Sequence, residues 1–283
     1  MDFSYYPGCS LHSTASEYNA SVQAVFSAFG VGLHELEDWN CCGASSAHSL
    51  NRALSLALPA RNLAIAQKAG MDVVMPCAAC FSRHKSADYA MRTDPEKRAF
   101  LESAASFTFT GTVAVRPLLD VVGNSIGLEN VKTLVKKPLK WLKTVGYYGC
   151  LLVRPPEITQ FENPDNPTLM NRLLETLGAE ARPWSYATEC CGGGLTLTKP
   201  SVAGKLVNRL VDRSREAGAD TIVTSCPLCQ MNLEMRQSKS SPKMPVFYFT
   251  ELMGLAFGLD QAQKWWGKHL INPTGLLHSI DLQ

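Results

Sequence analysis

Short apolar runs alternate with longer amphipathic segments along the chain. In the first half the apolar runs predict three strands, at residues 3–6, 33–36 and 73–75. Apolar positions recur at helical spacing over 22–29, and a second helical stretch covers about 50–69, where Pro59 predicts a kink or a split. Strands that alternate with helices are typical of a parallel sheet with crossover helices.

The second half repeats this order. Residues 69–72 read Ala-Gly-Met-Asp before the apolar run 73–75, and residues 217–220 read Ala-Gly-Ala-Asp before the apolar run 222–224. Tyr5-Tyr6-Pro7-Gly8-Cys9 likewise resembles Tyr147-Tyr148-Gly149-Cys150. An ordered series of matches indicates an internal duplication. The predicted fold is α/β, with two pseudo-twofold-related, Rossmann-like βαβ units that have parallel sheets.

The duplication divides the chain into four predicted parts. The connector and the tail lack the repeated pattern, and the connector contains a charged, helical stretch. The parts are a first unit at 1–90, a helical connector at 91–143, a second unit at 144–260 and a C-terminal extension at 261–283.

Composition narrows the class of protein. The chain has 283 residues, of which 46% are apolar and 18% charged, so it can bury a sizeable core. The formal net charge of +2 gives no support to nucleic-acid binding. No run approaches the ~20 apolar residues of a membrane span, and the first residues do not resemble a secretory signal. We therefore expect a cytoplasmic protein without a transmembrane segment, in which thiols stay reduced.

All ten cysteines fall into two sets of nearly equal spacing. In each set a single cysteine, a Cys-Cys pair and a C-x2-C group follow three successive predicted strands. Because ligands bind at the carboxyl ends of parallel strands, the five thiols of a unit are expected to converge on one sheet edge. The sets are Cys9, Cys41, Cys42, Cys77 and Cys80, and Cys150, Cys190, Cys191, Cys226 and Cys229.

Five clustered thiols predict a site for a soft metal, but spacing leaves the metal open. Buried apolar packing and a disulfide framework are the alternatives without metal. Structural zinc takes four ligands, and an ordinary 4Fe–4S cube also takes four cysteines, so one thiol of each set would be surplus. The spacing therefore indicates either an unusual cluster or a fifth, reactive thiol.

The two Cys-Cys-Gly tripeptides, at 41–43 and 190–192, are more specific. With the surrounding spacing they resemble the cysteine-rich CCG domain of the B subunit of heterodisulfide reductase, over nearly the whole chain. The resemblance implies that each complete five-cysteine set binds a noncubane 4Fe–4S cluster, so two clusters are expected. Zinc in one or both sites is the alternative. Cys42 and Cys191 are the expected catalytic thiols.

The resemblance also implies a reaction and partners. It implies that a small-molecule disulfide is reduced to two thiols between two facing clusters. Electrons would arrive through a flavin-containing A-subunit-like protein and a ferredoxin-like C subunit with cubane 4Fe–4S clusters. The alternative function is an electron-transfer or quinone-interacting CCG subunit of a succinate or fumarate oxidoreductase, or of an aromatic-degradation reductase.

Glycines and histidines near the cysteines complete the candidate site. Gly43, Gly192 and Gly193 would let the backbone approach inorganic sulfur and donate N–H groups to it, with a plain turn or an anion-binding loop as alternatives for the 192–194 run. His12 and His48 lie close in sequence to Cys9 and Cys42. Each could donate a proton or bind an anionic substrate, or could instead be hydrogen-bonded within a loop or core.

Overall fold

The computed structural model of the protein describes residues 1–44, 47–239 and 242–282. Within these residues, eight strands form two separate four-stranded sheets, and every strand pair in both sheets is parallel. The predicted α/β fold with two similar parallel units is therefore confirmed.

The first sheet has the strand order β2-β1-β3-β4. The three strands that precede the cysteine groups are thus neighbours, with β1 between β2 and β3. The strands are β1 (Asp2–Tyr5), β2 (Gly32–Glu35), β3 (Val73–Met75) and β4 (Val115–Pro117).

Helices connect these strands and cover the sheet. Pro59 lies inside α4 without ending it, and Gly70, with a left-handed backbone, caps the same helix. The helices are α1 (Gly8–Leu11), α2 (Ser16–Ala28), α3 (Ala47–Leu50), α4 (Arg52–Ala69), α5 (Ala78–Thr93), α6 (Pro95–Ala105), α7 (Leu118–Asp120), a π-helix (Val121–Gly127) and α8 (Leu128–Leu134).

The second sheet has the equivalent order, β6-β5-β7-β8. Its strands are β5 (Lys143–Tyr147), β6 (Glu180–Ala181), β7 (Thr221–Thr224) and β8 (Val246–Tyr248). The helices of this half are α9 (Pro156–Thr159), α10 (Leu169–Thr176), a 3-10 turn (Gly193–Leu195), α11 (Pro200–Glu216), α12 (Pro227–Met235), α13 (Phe249–Ala256), α14 (Ala262–Trp265), a 3-10 turn (Trp266–Lys268) and α15 (Thr274–Ser279).

Strand register relates the two units residue by residue. Ser4 of β1 pairs with Val73 of β3, and Val145 of β5 pairs with Ile222 of β7. Ser4 lies five residues before Cys9 and Val145 five before Cys150, while Val73 and Ile222 each lie four before the C-x2-C group. The two cysteine sets therefore start from equivalent positions of equivalent sheets.

The fourth strand of the first sheet comes from the predicted connector. Residues 91–143 contain α6, β4, α7, the π-helix and α8, and β4 pairs in parallel with β3. The corresponding strand of the second sheet, β8, comes from 246–248. The domain boundaries themselves stay a prediction.

The central strands are buried along their length, as parallel strands covered on both faces are. All residues of β3 and β7 are buried, and valines and isoleucines dominate them. The segments that carry the cysteines begin at the carboxyl ends of these strands. No helix in the described ranges is long and apolar enough to cross a bilayer.

Candidate metal centres

Each cysteine group lies in the segment that follows its strand. Cys9 lies in α1 after β1, the Cys-Cys pair follows β2, and Cys77 caps the N-terminus of α5 after β3. Cys226 caps α12 after β7 in the same way. We call Cys9, Cys41, Cys42, Cys77 and Cys80 the first thiol nest, and Cys150, Cys190, Cys191, Cys226 and Cys229 the second thiol nest.

The closest sulfurs within the nests form equivalent pairs. The Sγ atoms of Cys42 and Cys80 are 3.4 Å apart, and those of Cys191 and Cys229 are 3.5 Å apart. All ten cysteines are free thiols. Cys42 and Cys191 therefore face the second cysteine of the C-x2-C group in each nest.

The remaining thiols extend these pairs. The neighbouring thiol of Cys42 raises the pKa of Cys41, on which Cys9 also acts, and that of Cys190 raises the pKa of Cys150. Each nest has a buried part and an accessible part: the Cys42–Cys80 and Cys191–Cys229 pairs are buried, whereas Cys41 and Cys190 are exposed. Among residues 1–44, 47–239 and 242–282, no three His, Cys, Asp or Glu side chains form a group that could hold a single metal ion.

The two nests approach each other at the C-x2-C groups. The thiol of Cys77 interacts with that of Cys226 as well as with that of Cys80. The buried hydroxyl of Tyr18 donates to the carbonyl oxygens of Pro76 and Ser225, at 3.3 and 3.0 Å. These two residues directly precede Cys77 and Cys226, so one tyrosine ties the two equivalent loops together.

This bridge predicts a stability difference. We expect Tyr18→Phe to lower the free energy of unfolding of the metal-free protein by about 1–3 kcal/mol, because it removes the donor shared by two buried carbonyls. Tyr248, which stacks on Tyr18 with ring centroids 3.9 Å apart, provides the control. Its hydroxyl makes only a 3.4 Å bond to Gln230, so Tyr248→Phe should lose less. Urea unfolding measures both variants, and equal losses would contradict the role of the Tyr18 hydroxyl.

Neighbouring sulfurs shift the acidity of one another. Hydrogen bonds with Cys41 and Cys80 hold the pKa of the Cys42 thiol well below its ordinary value. A hydrogen bond with Cys150 lowers the pKa of Cys190 to about 6, and contact with Cys42, together with burial, raises the pKa of Cys41. Within such a group, the negative charge of one thiolate disfavours ionisation of the next thiol. Full ionisation of a nest therefore requires a compensating positive charge.

The predicted glycines lie against the thiols. The backbone N–H of Gly43 donates to Cys41 Sγ at 3.5 Å, and that of Gly192 donates to Cys190 Sγ at 3.3 Å. A Cβ on Gly193 would lie 3.5 Å from Cys191 Sγ. The Cys-Cys-Gly segments thus bring backbone donors to the sulfurs in both units.

The two predicted histidines lie on the outside of the first unit. His12 Nε2 is 2.9 Å from Glu35 Oε1, and its ring meets the edge of Trp39 at a centroid distance of 5.4 Å. His48 is exposed in α3, just after the Cys-Cys-Gly segment. Neither imidazole is enclosed in the buried part of the nest.

Sequence reasoning did not identify several residues that support the nests. The buried hydroxyls of Tyr6 and Tyr147 donate to the carbonyls of Asn40 and Glu189, at 2.9 and 2.7 Å. These two acceptors directly precede the two Cys-Cys pairs, so Tyr6, three residues before Cys9, is the counterpart of Tyr147. Matching the two Tyr-Tyr motifs directly would instead pair Tyr5 with Tyr147, which is one residue out of register. Counting back from the cysteines would have found the correct match.

His84 was also not identified. It is fully buried one turn after Cys80, and its Nδ1 lies 2.8 Å from the Cys80 carbonyl oxygen. Its ring packs against Tyr6 with centroids 4.6 Å apart. Burial lowers the pKa of this imidazole. The available signal was a histidine four residues after a cysteine, on the inner face of the helix.

A surface cavity of about 820 Å³ lies at the outer side of β2. Glu35, Asp38, Arg61 and Lys68 are among the residues that line it, and none of the ten cysteines does. This cavity is therefore separate from the thiols.

Comparisons with known proteins agree with this architecture. A relative from Wolinella succinogenes, the 8-methylmenaquinol:fumarate reductase membrane anchor subunit, is 33% identical and covers 97% of this chain and 99% of that protein. A heterodisulfide reductase B-subunit-like protein from Archaeoglobus profundus is 29% identical, covering 92% of each chain. An uncharacterized iron–sulfur protein from Methanocaldococcus jannaschii is 25% identical over 81% of this chain and 40% of that protein.

A solved structure shares the fold. The crystal structure of a hypothetical protein from Helicobacter pylori superposes with a TM-score of 0.74 at 11% identity, over 93% of this chain and 50% of that chain. The family model named CCG, described as a cysteine-rich domain, matches residues 3–83 and 145–234. Because these two matches together cover more than half of the chain, the protein belongs to the CCG cysteine-rich domain family.

Proposed function

We propose that this chain is the iron–sulfur CCG subunit of a disulfide-reducing oxidoreductase complex. Each thiol nest would hold one 4Fe–4S cluster of the noncubane type, and a small-molecule disulfide would be reduced to two thiols. The observation that carries the proposal is the pair of complete five-thiol nests, which occupy equivalent sheet edges and meet at Cys77 and Cys226.

The chemistry of the donor set fits iron and sulfide. Thiolates are soft ligands, and crowded thiolates need the positive charge that a metal supplies. The N–H groups of Gly43 and Gly192 point at sulfur, as donors around iron–sulfur clusters do. The sulfurs meet in successive pairs and not around one point, which suits an extended group better than a tetrahedral zinc ion. Zinc remains the alternative, and metal analysis of the purified protein would distinguish it from iron.

Disulfide reduction consumes two electrons and two protons and breaks one S–S bond to give two S–H bonds. When bound, the clusters would supply single electrons. The exposed side of the nests, at Cys41 and Cys190, is the side from which a substrate would approach. His12 and His48, both accessible on the first unit, are the proposed proton donors. Cys42 and Cys191, which belong to the buried sulfur pairs, are the proposed catalytic thiols.

Electrons must come from other proteins, because the chain has no dinucleotide-binding fingerprint. A flavin-containing A-subunit-like protein and a ferredoxin-like C subunit with cubane clusters are the proposed partners. The heterodisulfide reductase B-subunit-like relative supports this assembly.

A second function is favoured by one specific comparison. The relative with 33% identity over nearly the full length of both chains is a subunit of a fumarate reductase, and its name includes a quinol. The alternative is therefore an electron-transfer or quinone-interacting subunit, in which the same two clusters would pass electrons without cleaving a disulfide.

Anaerobic purification and an activity assay test the proposal. We expect a brown protein with ~8 iron atoms and matching acid-labile sulfide per chain. With a reduced viologen dye as electron donor, it should release thiols from candidate disulfides faster than it reduces a water-soluble quinone. The Cys42→Ala and Cys191→Ala variants should lose at least ~10-fold in thiol release. Zinc without sulfide, or a Cys42→Ala protein of unchanged rate, would overturn the proposal; faster quinone reduction would favour the second function.

Gly8 provides a separate prediction for iron binding. Its backbone has φ +71°, and a Cβ would lie 3.0 Å from Cys80 Sγ, so Gly8→Ala must displace this sulfur. We expect iron per chain to fall by roughly half, as one of two clusters is lost. Gly30→Ala is the matched control, because Gly30 has φ +66° and open space around its Cβ. Both variants should lose roughly 1–2 kcal/mol of stability from the left-handed backbone, but only Gly8→Ala should lose iron. Equal iron contents would contradict the prediction.

A further inference from the structure

A buried polar pair lies beside the first thiol nest. Asn62 of α4 and His84 of α5 are both fully buried, and Asn62 Nδ2 is 3.1 Å from His84 Nε2. His84 Nδ1 is 2.8 Å from the carbonyl oxygen of Cys80. The pair therefore connects α4 directly to the helix that carries the C-x2-C group.

The same pair holds the segment before Cys41. The backbone N–H of Asn40 donates to Asn62 Oδ1 at 3.0 Å, and Asn62 Nδ2 donates to the Asn40 carbonyl at 2.9 Å. Because a backbone N–H can only donate, the orientation of the Asn62 amide is determined. Its Nδ2 then donates to His84 Nε2, so the neutral imidazole carries its proton on Nδ1 and donates it to the Cys80 carbonyl.

The second unit has leucines at the equivalent positions. Leu233 follows Cys229 by four residues, as His84 follows Cys80. The helices α4 and α11 are aligned by their contacts with the glycines, because a Cβ on Gly43 would meet Leu58 and one on Gly192 would meet Leu206. Four residues further along these helices are Asn62 and Leu210.

Leu210 and Leu233 are as buried as the pair that they replace. The difference between the nests is therefore one of polarity and not of exposure at these positions. Other supports are common to both units: Tyr6 and Tyr147 make the same hydrogen bond, and so do the amides of Gly43 and Gly192.

The second unit still has a polar support for its Cys-Cys segment, at a different place. Asn232 Nδ2 donates to the carbonyl oxygen of Cys191 at 2.6 Å. Both Cys-Cys segments are thus held by a side-chain amide, whereas only the first unit has a side chain that bonds to the carbonyl of the second cysteine of the C-x2-C group, His84 at Cys80. The Leu233 side chain has no donor for the carbonyl of Cys229.

We propose that the two nests are unequal redox sites, and that the His84–Asn62 pair makes the first nest the one that is reduced more easily. This inference rests on the proposed function, since it requires a cluster in each nest. His84 and Asn62 are positioning residues that act through the backbone of Cys80 and Asn40 and not on substrate.

The physical reason is electrostatic. Reduction adds negative charge to a cluster, and the carbonyl oxygen of Cys80, a residue of the first nest, carries a partial negative charge. A hydrogen bond from His84 offsets this partial charge in a low-dielectric interior, so the extra electron is more stable there. Hydrogen bonding and solvent exposure are among the factors that set cluster potentials. Solvent exposure should also raise the potential of the first cluster, because Cys9 is exposed whereas its counterpart Cys150 is only partly exposed.

An anaerobic redox titration followed by EPR spectroscopy tests the inference. We expect two midpoint potentials in the native protein, the higher belonging to the first nest. The Cys42→Ala and Cys191→Ala proteins assign each signal to a nest. In the double variant Asn62→Leu/His84→Leu, which copies the second unit, the first potential should fall by at least a tenfold change in the reduction equilibrium, ~59 mV for one electron. The second potential should stay in place.

Matched variants separate polarity from packing. Leu233→Met, which changes the second unit without adding a donor, should move neither potential. His84→Gln, which retains an N–H donor, should keep the first potential nearer to the native value than His84→Met does; this single-site pair carries the test if the double variant does not retain iron.

The outcomes distinguish this inference from the proposed function. A native protein without iron would overturn the function itself. A protein with both clusters but coincident potentials would overturn the inequality, and one in which neither the double variant nor His84→Met moves the first potential would overturn the role of the His84–Asn62 pair; neither result would touch the proposed function.

Discussion

Replacing Cys80 by serine is expected to remove the iron of the first nest and leave that of the second, so that iron per anaerobically purified chain falls by about half. The sulfur of Cys80 is 3.4 Å from that of Cys42 and also contacts that of Cys77. A serine hydroxyl is a hard, weakly acidic ligand, and it would not replace a central thiolate. Cys229→Ser should give the same loss from the second nest.

Two measurements check this expectation. Iron and labile sulfide give the stoichiometry, and EPR spectra identify which signal is lost in each variant. Ser10→Ala, next to Cys9 but without a sulfur, is the control and should retain all iron. The Cys226 thiol acts on that of Cys77, so a single group shared by both nests is the other possibility, and in that case either variant would lose nearly all iron. That result would contradict the assignment of two separate clusters.

The second large effect concerns the C-terminal residues. The side chain of His269 is fully buried between two carboxylates, 3.2 Å from Glu234 and 3.0 Å from Glu251. We expect His269→Leu to lower the free energy of unfolding by about 3–5 kcal/mol, because it leaves two buried carboxylates without their cation. An exposed ion pair serves as the control. His34 and Asp2 are 58% and 59% exposed, so His34→Leu should lose at most about 1 kcal/mol.

The same ion group predicts a pH dependence. Burial disfavours the charged imidazole, but the carboxylates of Glu251 and Glu234 outweigh it and raise the pKa of His269 to about 10. The ordinary histidine pKa is ~6.5, so the stabilisation is complete below that pH and is lost as the pH rises through about 10.

Urea unfolding midpoints between roughly neutral pH and pH ~10 would measure this loss. The native protein should weaken over that range, and His269→Leu should lack this component. Adding Glu251→Gln to His269→Leu should recover part of the stability, since it removes one uncompensated charge. A native protein whose stability does not change with pH would contradict the charged state of His269.

Several features of the fold could be read from the chain because they depend on local periodicity. The runs at 3–6, 33–36 and 73–75 correspond to β1, β2 and β3, and each precedes its cysteine group. The repeated Ala-Gly-x-Asp segments mark equivalent helix ends in both units. Strand β4 was not recognised, because a three-residue strand with Arg116 at its centre has too little pattern.

Less of the site than of the fold could be predicted from the sequence. Cysteine spacing gave the members of each set, but not the contact between Cys77 and Cys226, since nothing in either half reports how the halves pack. His269 lies in the predicted C-terminal extension, where no local pattern indicates burial, and its partners are glutamates from α12 and α13. The match of His84 with Leu233 follows from cysteine spacing, but the bond between His84 and Asn62 of another helix is visible only in the structure.

The amino-acid sequence by itself determined the α/β repeat and the grouping of five thiols per unit, because strand and helix periodicity and the position of each cysteine after its strand are local properties. Only the tertiary structure decided that the two sets meet, that Tyr18 bridges their loops, and that one nest has a polar pair where the other has leucines. These features depend on side chains that are distant along the chain, and burial in a shared interior is what gives their hydrogen bonds and charges their strength.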